Sequence, residues 1–159
     1  MEKVGSFLKI FSFCISSLFL FICCETSTAQ KNTSNGCGGI ILKPTRIIRI
    51  QDDAKNPNKI RLIDEVGCPA YTLNVLSGQN VEWQIDGSTI KSIDSIVIKA
   101  KPGNENIFEK PPHKQHLSKH WKGKSKNVKK IETEEYNILW TGIDNTSYTY
   151  DPIMQLNPK

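Results

Sequence analysis

Beyond residue 39 the chain is written in short alternating runs of apolar and polar residues. Arg46-Ile47-Ile48-Arg49-Ile50 and Lys59-Ile60-Arg61-Leu62-Ile63 are β-type runs separated by the turn cluster Asn56-Pro57-Asn58, which predicts a hairpin. Tyr71 to Leu76 follows, with Tyr71, Leu73 and Val75 expected on one face. Ser77-Gly78-Gln79-Asn80 is a tight turn. Val81-Glu82-Trp83-Gln84-Ile85 then alternates strictly, so Val81, Trp83 and Ile85 are expected to face inward. After the turn Asp86-Gly87-Ser88, Ile93 to Ala100 predicts another strand, with Ile96 and Ile98 as core and a break at 101–104. Glu135 to Thr141, Ser147 to Tyr150 and Ile153 to Asn157 complete the set. Turn signals recur about every 8–12 residues and amphipathic helical periodicity is thin, which predicts about seven or eight short strands in an all-β sandwich or Greek-key barrel. Gln115 to Trp121 is the one candidate helix, expected to make a turn or two. Trp83 and Trp140, each on an alternating strand, are the expected core aromatics.

The N-terminus follows a different pattern. Lys3 and Lys9 precede an almost unbroken apolar run from Ile10 to Cys24. Fifteen residues span about 22 Å as a helix, short of the ~30 Å bilayer core. Small residues follow, and Ser27-Thr28-Ala29 has the form of a signal-peptidase site. Residues 1–29 therefore read as a cleaved secretory signal, 30–39 as a flexible polar lead-in, and 40–159 as one domain. The expected location is extracytoplasmic: periplasm, cell surface or medium. A retained anchor and a lipoprotein acylated at Cys23 or Cys24 are the alternatives. After cleavage Cys37 and Cys68 remain, each in a turn-like setting. An even cysteine count in an oxidising compartment predicts a disulfide between them.

The length of 159 residues suits one domain, and 23% charged with 38% hydrophobic residues excludes a disordered chain. Internal repeats, phosphate-binding glycine loops, zinc-ribbon cysteine patterns and nucleophile elbows are not found. The chain carries a net charge of +5, yet residues 110–130 alone hold eight lysines and no acid. These are Lys110, Lys114, Lys119, Lys122, Lys124, Lys126, Lys129 and Lys130, accompanied by Trp121; Pro111-Pro112 opens the stretch in an extended conformation. The stretch reads as a basic loop. It is either a solvated face or an anion-binding patch toward envelope lipid or acidic polysaccharide; outside the cytoplasm, nucleic acid is not the expected partner. All three histidines, His113, His116 and His120, fall here too. On a helix their spacing would place them on one face, as a copper or zinc site needs, although the lysines would oppose a cation.

Ser77-Gly78-Gln79-Asn80-Val81-Glu82-Trp83 resembles the strand start "G-D-T-V-x-W" of cupredoxins, the blue-copper β-sandwiches. Met154 falls near where that family's weak axial ligand would come. The resemblance implies a single Greek-key sandwich of cupredoxin or immunoglobulin type. It does not carry over the copper set of two His, a Cys and a Met, because the stretch from Tyr136 to Lys159 has neither Cys nor His. Tyr148-Thr149-Tyr150-Asp151-Pro152-Ile153-Met154-Gln155-Leu156-Asn157-Pro158 resembles the C-terminal segment of small secreted bacterial proteins of uncharacterised function, a likeness that brings no activity.

No catalytic constellation stands out. Asp52-Asp53 and Asp64-Glu65 are adjacent carboxylates, but neighbours on a strand point to opposite faces. Asn32-Thr33-Ser34 and Asn145-Thr146-Ser147 fit the N-glycosylation pattern, which matters only in a eukaryotic host. The sequence thus predicts a secreted or envelope-associated, non-enzymatic binding domain without a cofactor. A protein partner, a metal-binding cupredoxin relative and a structural envelope role remain open.

Overall fold

The computed structural model describes residues 37–99 and 106–159. The expected signal segment, its cysteines, residues 30–36, the first sequon, Ala100 and the 101–104 break lie outside the described residues.

Ten strands and no helix make up the described chain. They are β1 (Thr45–Asp52), β2 (Ile60–Asp64), β3 (Thr72–Leu76), β4 (Asn80–Ile85) and β5 (Ile90–Ile98). The others are β6 (Phe108–Lys114), β7 (Trp121–Ser125), β8 (Glu132–Gly142), β9 (Ser147–Tyr150) and β10 (Ile153–Asn157). One sheet runs β2-β1-β4-β7-β6 and the other β3-β10-β8-β5, with β9 also on β8. Both sheets are mixed. β1 lies parallel to β4, and β3 parallel to β10. Each parallel pair requires the chain to leave the sheet and return, so β2 and β3 belong to different sheets although they adjoin in sequence.

The β1–β2 hairpin forms as expected around Asn56-Pro57-Asn58. The turn at 77–79 also forms, with Gln79 N–H donating to Leu76 O at 3.1 Å. It does not join a hairpin, however. It carries the chain from one sheet to the other. Gly78 sits at φ +69°, and a Cβ there would meet Asn127 Oδ1 at 3.1 Å.

Alternation supplies the core. Ile48, Ile50, Leu62, Val81 and Trp83 point from the first sheet toward Leu73, Val75, Tyr136, Ile138, Trp140, Met154 and Leu156 of the second. Trp83 and Trp140 are 0% and 1% exposed, as their strand positions predict. Tyr71 departs from expectation. It lies just before β3, is 53% exposed, and meets Tyr150 edge-on. β5 departs as well: Ile90, Ile93 and Ile96 are all buried at intervals of three. Register shifts between Ile90 and Ser92 and between Ile93 and Ser95 insert extra residues and reset the period of two. Ile93 therefore joins the core and Ile98 is only partly buried.

Polar anchors hold the ends. The Asp52 carboxylate accepts from the backbone N–H groups of Ser88 and Thr89 and from both hydroxyls. A Cβ at Gly87 would stand 2.6 Å from Asp52 Oδ1, so only glycine fits this turn. Arg46 is buried between Asp64, at 3.5 Å, and Glu65, at 3.3 Å. Asp64 also accepts from Cys68 N–H at 2.8 Å. The adjacent carboxylates thus converge on one arginine, because Glu65 lies past the end of β2.

Cys37 is bonded to Cys68 across a sequence separation of 31. Among the described residues, the core cluster runs from Ile48 to Leu156 and the disulfide ties Cys37 to Cys68. On the chain-entropy estimate, replacing both cysteines with serine lowers stability by about 3–4 kcal/mol. Urea unfolding of the oxidised and substituted proteins measures this. A thiol titration of the denatured, unreduced domain from Gln30 onward should find no free thiol.

A cationic hairpin on the sheet edge

The basic stretch is not a loop. Its first part is an antiparallel hairpin, β6–β7, that ends the first sheet, and the helix expected over 115–121 does not form. The apolar positions explain why. Phe108 roots β6 in the core, 4% exposed, with its ring edge-on to Trp83 at 6.1 Å. On β7, Trp121, Gly123 and Ser125 face inward while Lys122 is exposed and Lys124 half-buried. Gly123 is needed because a Cβ would press on Lys110 O and the Phe108 ring, both at 3.3 Å. Pro111 and Pro112 are tolerated because β6 is an edge strand, with no strand on its far side among the described residues.

The fold divides the lysines. Lys110, Lys114, Lys119 and Lys122 are exposed on the hairpin. β7 spans about 13–17 Å, and Lys126, Lys129 and Lys130 come after it, beside the 77–79 turn. Three of the eight pair with acids from elsewhere. Lys122 Nζ lies 3.2 Å from Glu82, Lys124 2.8 Å from Glu109, and Lys126 3.0 Å from Glu132. Lys110, Lys114, Lys119, Lys129 and Lys130 make no ion pair among the described residues. Trp121, grouped with the lysines as an anion-binding candidate, is buried among the core side chains, 9% exposed.

The histidines do not share a helical face. His113 is on β6, where its ring lies 3.1 Å from Pro111 O; His116 is in the turn. His120 Nδ1 lies 2.8 Å from Glu82 Oε1. Among the described residues no three His, Cys, Asp or Glu side chains come together as a metal site. Both described cysteines are in the disulfide, and Met154 is fully buried in the core.

Glu82 is the residue that reading the sequence missed. It appears there as one polar position on an alternating strand, and its partner His120 is 38 residues away. Partial burial pushes its carboxyl up. Hydrogen bonds from Gln84 and Lys122, the Lys122 charge and the His120 contact outweigh that and hold it below the usual carboxylate value. A second feature lies between β5 and β6. There a cleft of about 410 Å³ is lined by Ile96, Val97, Ile98, Phe108, Pro111 and Pro112.

No protein-family model matches the sequence, and no curated protein matches it. One solved structure, a 2,6-sialyltransferase of Photobacterium sp. JT-ISH-224 in complex with CMP and lactose, aligns with a TM-score of 0.39 and 7% identity. The alignment covers 70% of this chain and only 18% of that one. A likeness of this size carries no argument about fold or function.

Glu82 ties the hairpin to β4, and the sign of its contribution follows from its lowered pKa. The stabilisation is present above the unfolded value near 4.5 and lost as pH falls below it. Glu82→Gln should cost at most about 1 kcal/mol at pH 7, because the cations are largely exposed. Thermal unfolding should show this difference shrinking below pH 4.5 and in high salt.

Proposed function

We propose that this chain is an extracytoplasmic, non-enzymatic binding domain that meets an anionic surface or polymer through the β6–β7 hairpin. The observation that carries the reading is the hairpin's charge. Lys110, Lys114 and Lys119 are exposed and without ion pairs among the described residues, and no acid falls between residues 110 and 130. A rigid edge hairpin presents these charges at low ordering cost, since its root is fixed in the core by Phe108. The apolar run and small-residue site at 10–29 support export. The two parallel strand pairs and the Ser77–Trp83 strand start support a cupredoxin-like arrangement of the sandwich. With the cysteines bonded to each other and Met154 in the core, the domain would use that arrangement without blue-copper chemistry.

A second reading has its own observation. Lysines and prolines on an exposed edge strand also prevent edge-to-edge pairing between copies, and β6 has both. Salt and charge separate the two. Retention on an immobilised acidic polysaccharide or on anionic vesicles should fall steeply between 50 and 200 mM salt. Gln at positions 110, 114 and 119 should lower affinity about fivefold per lysine on vesicles. If retention ignores salt, or the triple variant binds unchanged, the hairpin is edge protection only.

A further inference from the structure

The hairpin's apex is built to expose an apolar side chain. Gln115 N–H donates to His120 O at 2.9 Å and closes the ladder. Ser118 N–H reaches Gln115 O at 3.3 Å, making a β-turn over residues 115–118, and Ser118 Oγ accepts from His120 N–H. Leu117 occupies the third position of this turn with φ +59°. Positive φ at that position belongs to a type II turn, which favours glycine or asparagine. A leucine there is sterically costly. It is also 96% exposed, more than any other large apolar residue described. A scattered exposed leucine needs no explanation. One held in left-handed conformation at the tip of a projecting hairpin, with no packing in return, does.

Its neighbours are cationic. Lys114 precedes it by three residues and Lys119 follows by two; both are exposed and free of ion pairs among the described residues, as is the adjacent His116. The carboxylate of Glu82, on β4, is already engaged by His120 and Lys122. An aliphatic apex inside a collar of lysines matches one chemistry: a hydrocarbon layer beneath a layer of negative groups. A soluble acidic polysaccharide would engage the collar but has no use for the apex.

We infer that the anionic partner is a lipid bilayer, into whose headgroup region Leu117 inserts while Lys114 and Lys119 contact the phosphates. The inference rests on the proposed anion-binding role of the hairpin and narrows it to one partner. The insertion is shallow and reversible, since one leucine and a few lysines supply little beyond what a single short acyl chain does.

The test uses the disulfide-bonded domain from Gln30 onward, which lacks the apolar leader that would bind vesicles by itself. Sedimentation with vesicles containing phosphatidylglycerol is compared with vesicles of phosphatidylcholine alone, and soluble polygalacturonate serves as a polyanion without an apolar phase. Leu117→Asn suits the positive φ, so it should raise Tm by a few degrees. It should lower binding to the anionic vesicles about tenfold and leave polygalacturonate binding unchanged. Lys114→Gln and Lys119→Gln should each lower vesicle binding about fivefold. That pattern supports the inference. Vesicle binding that survives Leu117→Asn but falls with the lysines overturns it and leaves the anion-binding role intact. So does binding to polygalacturonate with none to vesicles. Binding to neither polyanion overturns both.

Discussion

Trp83 stands at the point where the two sheets and the hairpin meet. Its strand alternates, so its ring must leave the first sheet on the core side, where it is fully buried. There it touches Tyr136 of the opposite sheet edge-on at 6.0 Å, and Trp83 Nε1–H donates to the Tyr136 hydroxyl at 3.4 Å. Phe108 packs on another side of the same ring. Edge-to-face pairs add about 0.5–1.5 kcal/mol each beyond the area they bury. More important here is position: the contact with Phe108 fixes where β6 starts, and so fixes where the cationic hairpin leaves the body of the protein. Burial also pushes the Tyr136 phenol up, against the opposing effect of the hydrogen bond it accepts from Trp83.

The basic stretch shows how a sheet treats a run of like charge. On β7 the lysines fall on alternate positions, with Trp121, Gly123 and Ser125 between them. The period of two sends the cations out and the others into the core, so a segment with eight lysines in 21 residues contains a buried strand. The acids that neutralise Lys122, Lys124 and Lys126 come from β4, β6 and β8, so the charge that stays available is concentrated on β6, at the hairpin turn and in the 129–130 segment. The same arrangement explains why the histidines form no metal set. A hairpin spreads them over a strand, a turn and the residue just before the return strand, where a helix would have stacked them.

Some of the architecture could be read from residues in order. Strict alternation marks β4, short β-type runs of apolar residues mark β1, β2 and β8, and Asn56-Pro57-Asn58 and Asp86-Gly87-Ser88 mark turns. β6 and β7 could not be read in the same way. β6 offers Pro111-Pro112 and exposed charges, and β7 offers Lys-Gly-Lys; neither has the apolar residues that announce a strand. They are strands because Phe108 and Trp121 find Trp83, on β4, and because β4 offers β7 an unpaired edge. β5 was legible as a strand from Ile93 onward but its inward face was not: two bulges set its buried isoleucines at a spacing of three, so Ile93 and not Ile98 is in the core.

Residue order thus determined what depends on near neighbours: an all-β chain, the β1–β2 hairpin, the inward tryptophans and the presence of a concentrated positive charge. The disulfide too was legible, since Cys37 and Cys68 are the only pair left once the apolar leader is set aside. What tertiary structure alone decided are relations between residues far apart in sequence. Which sheet each strand joins, the parallel pairing of β1 with β4, and the capture of His120 and Lys122 by Glu82 all depend on long-range closure. The exposure of Leu117 belongs with them. By composition it is one more core residue, and only the turn that closes β6 onto β7 puts it in water, because the ladder leaves that position no neighbour to pack against.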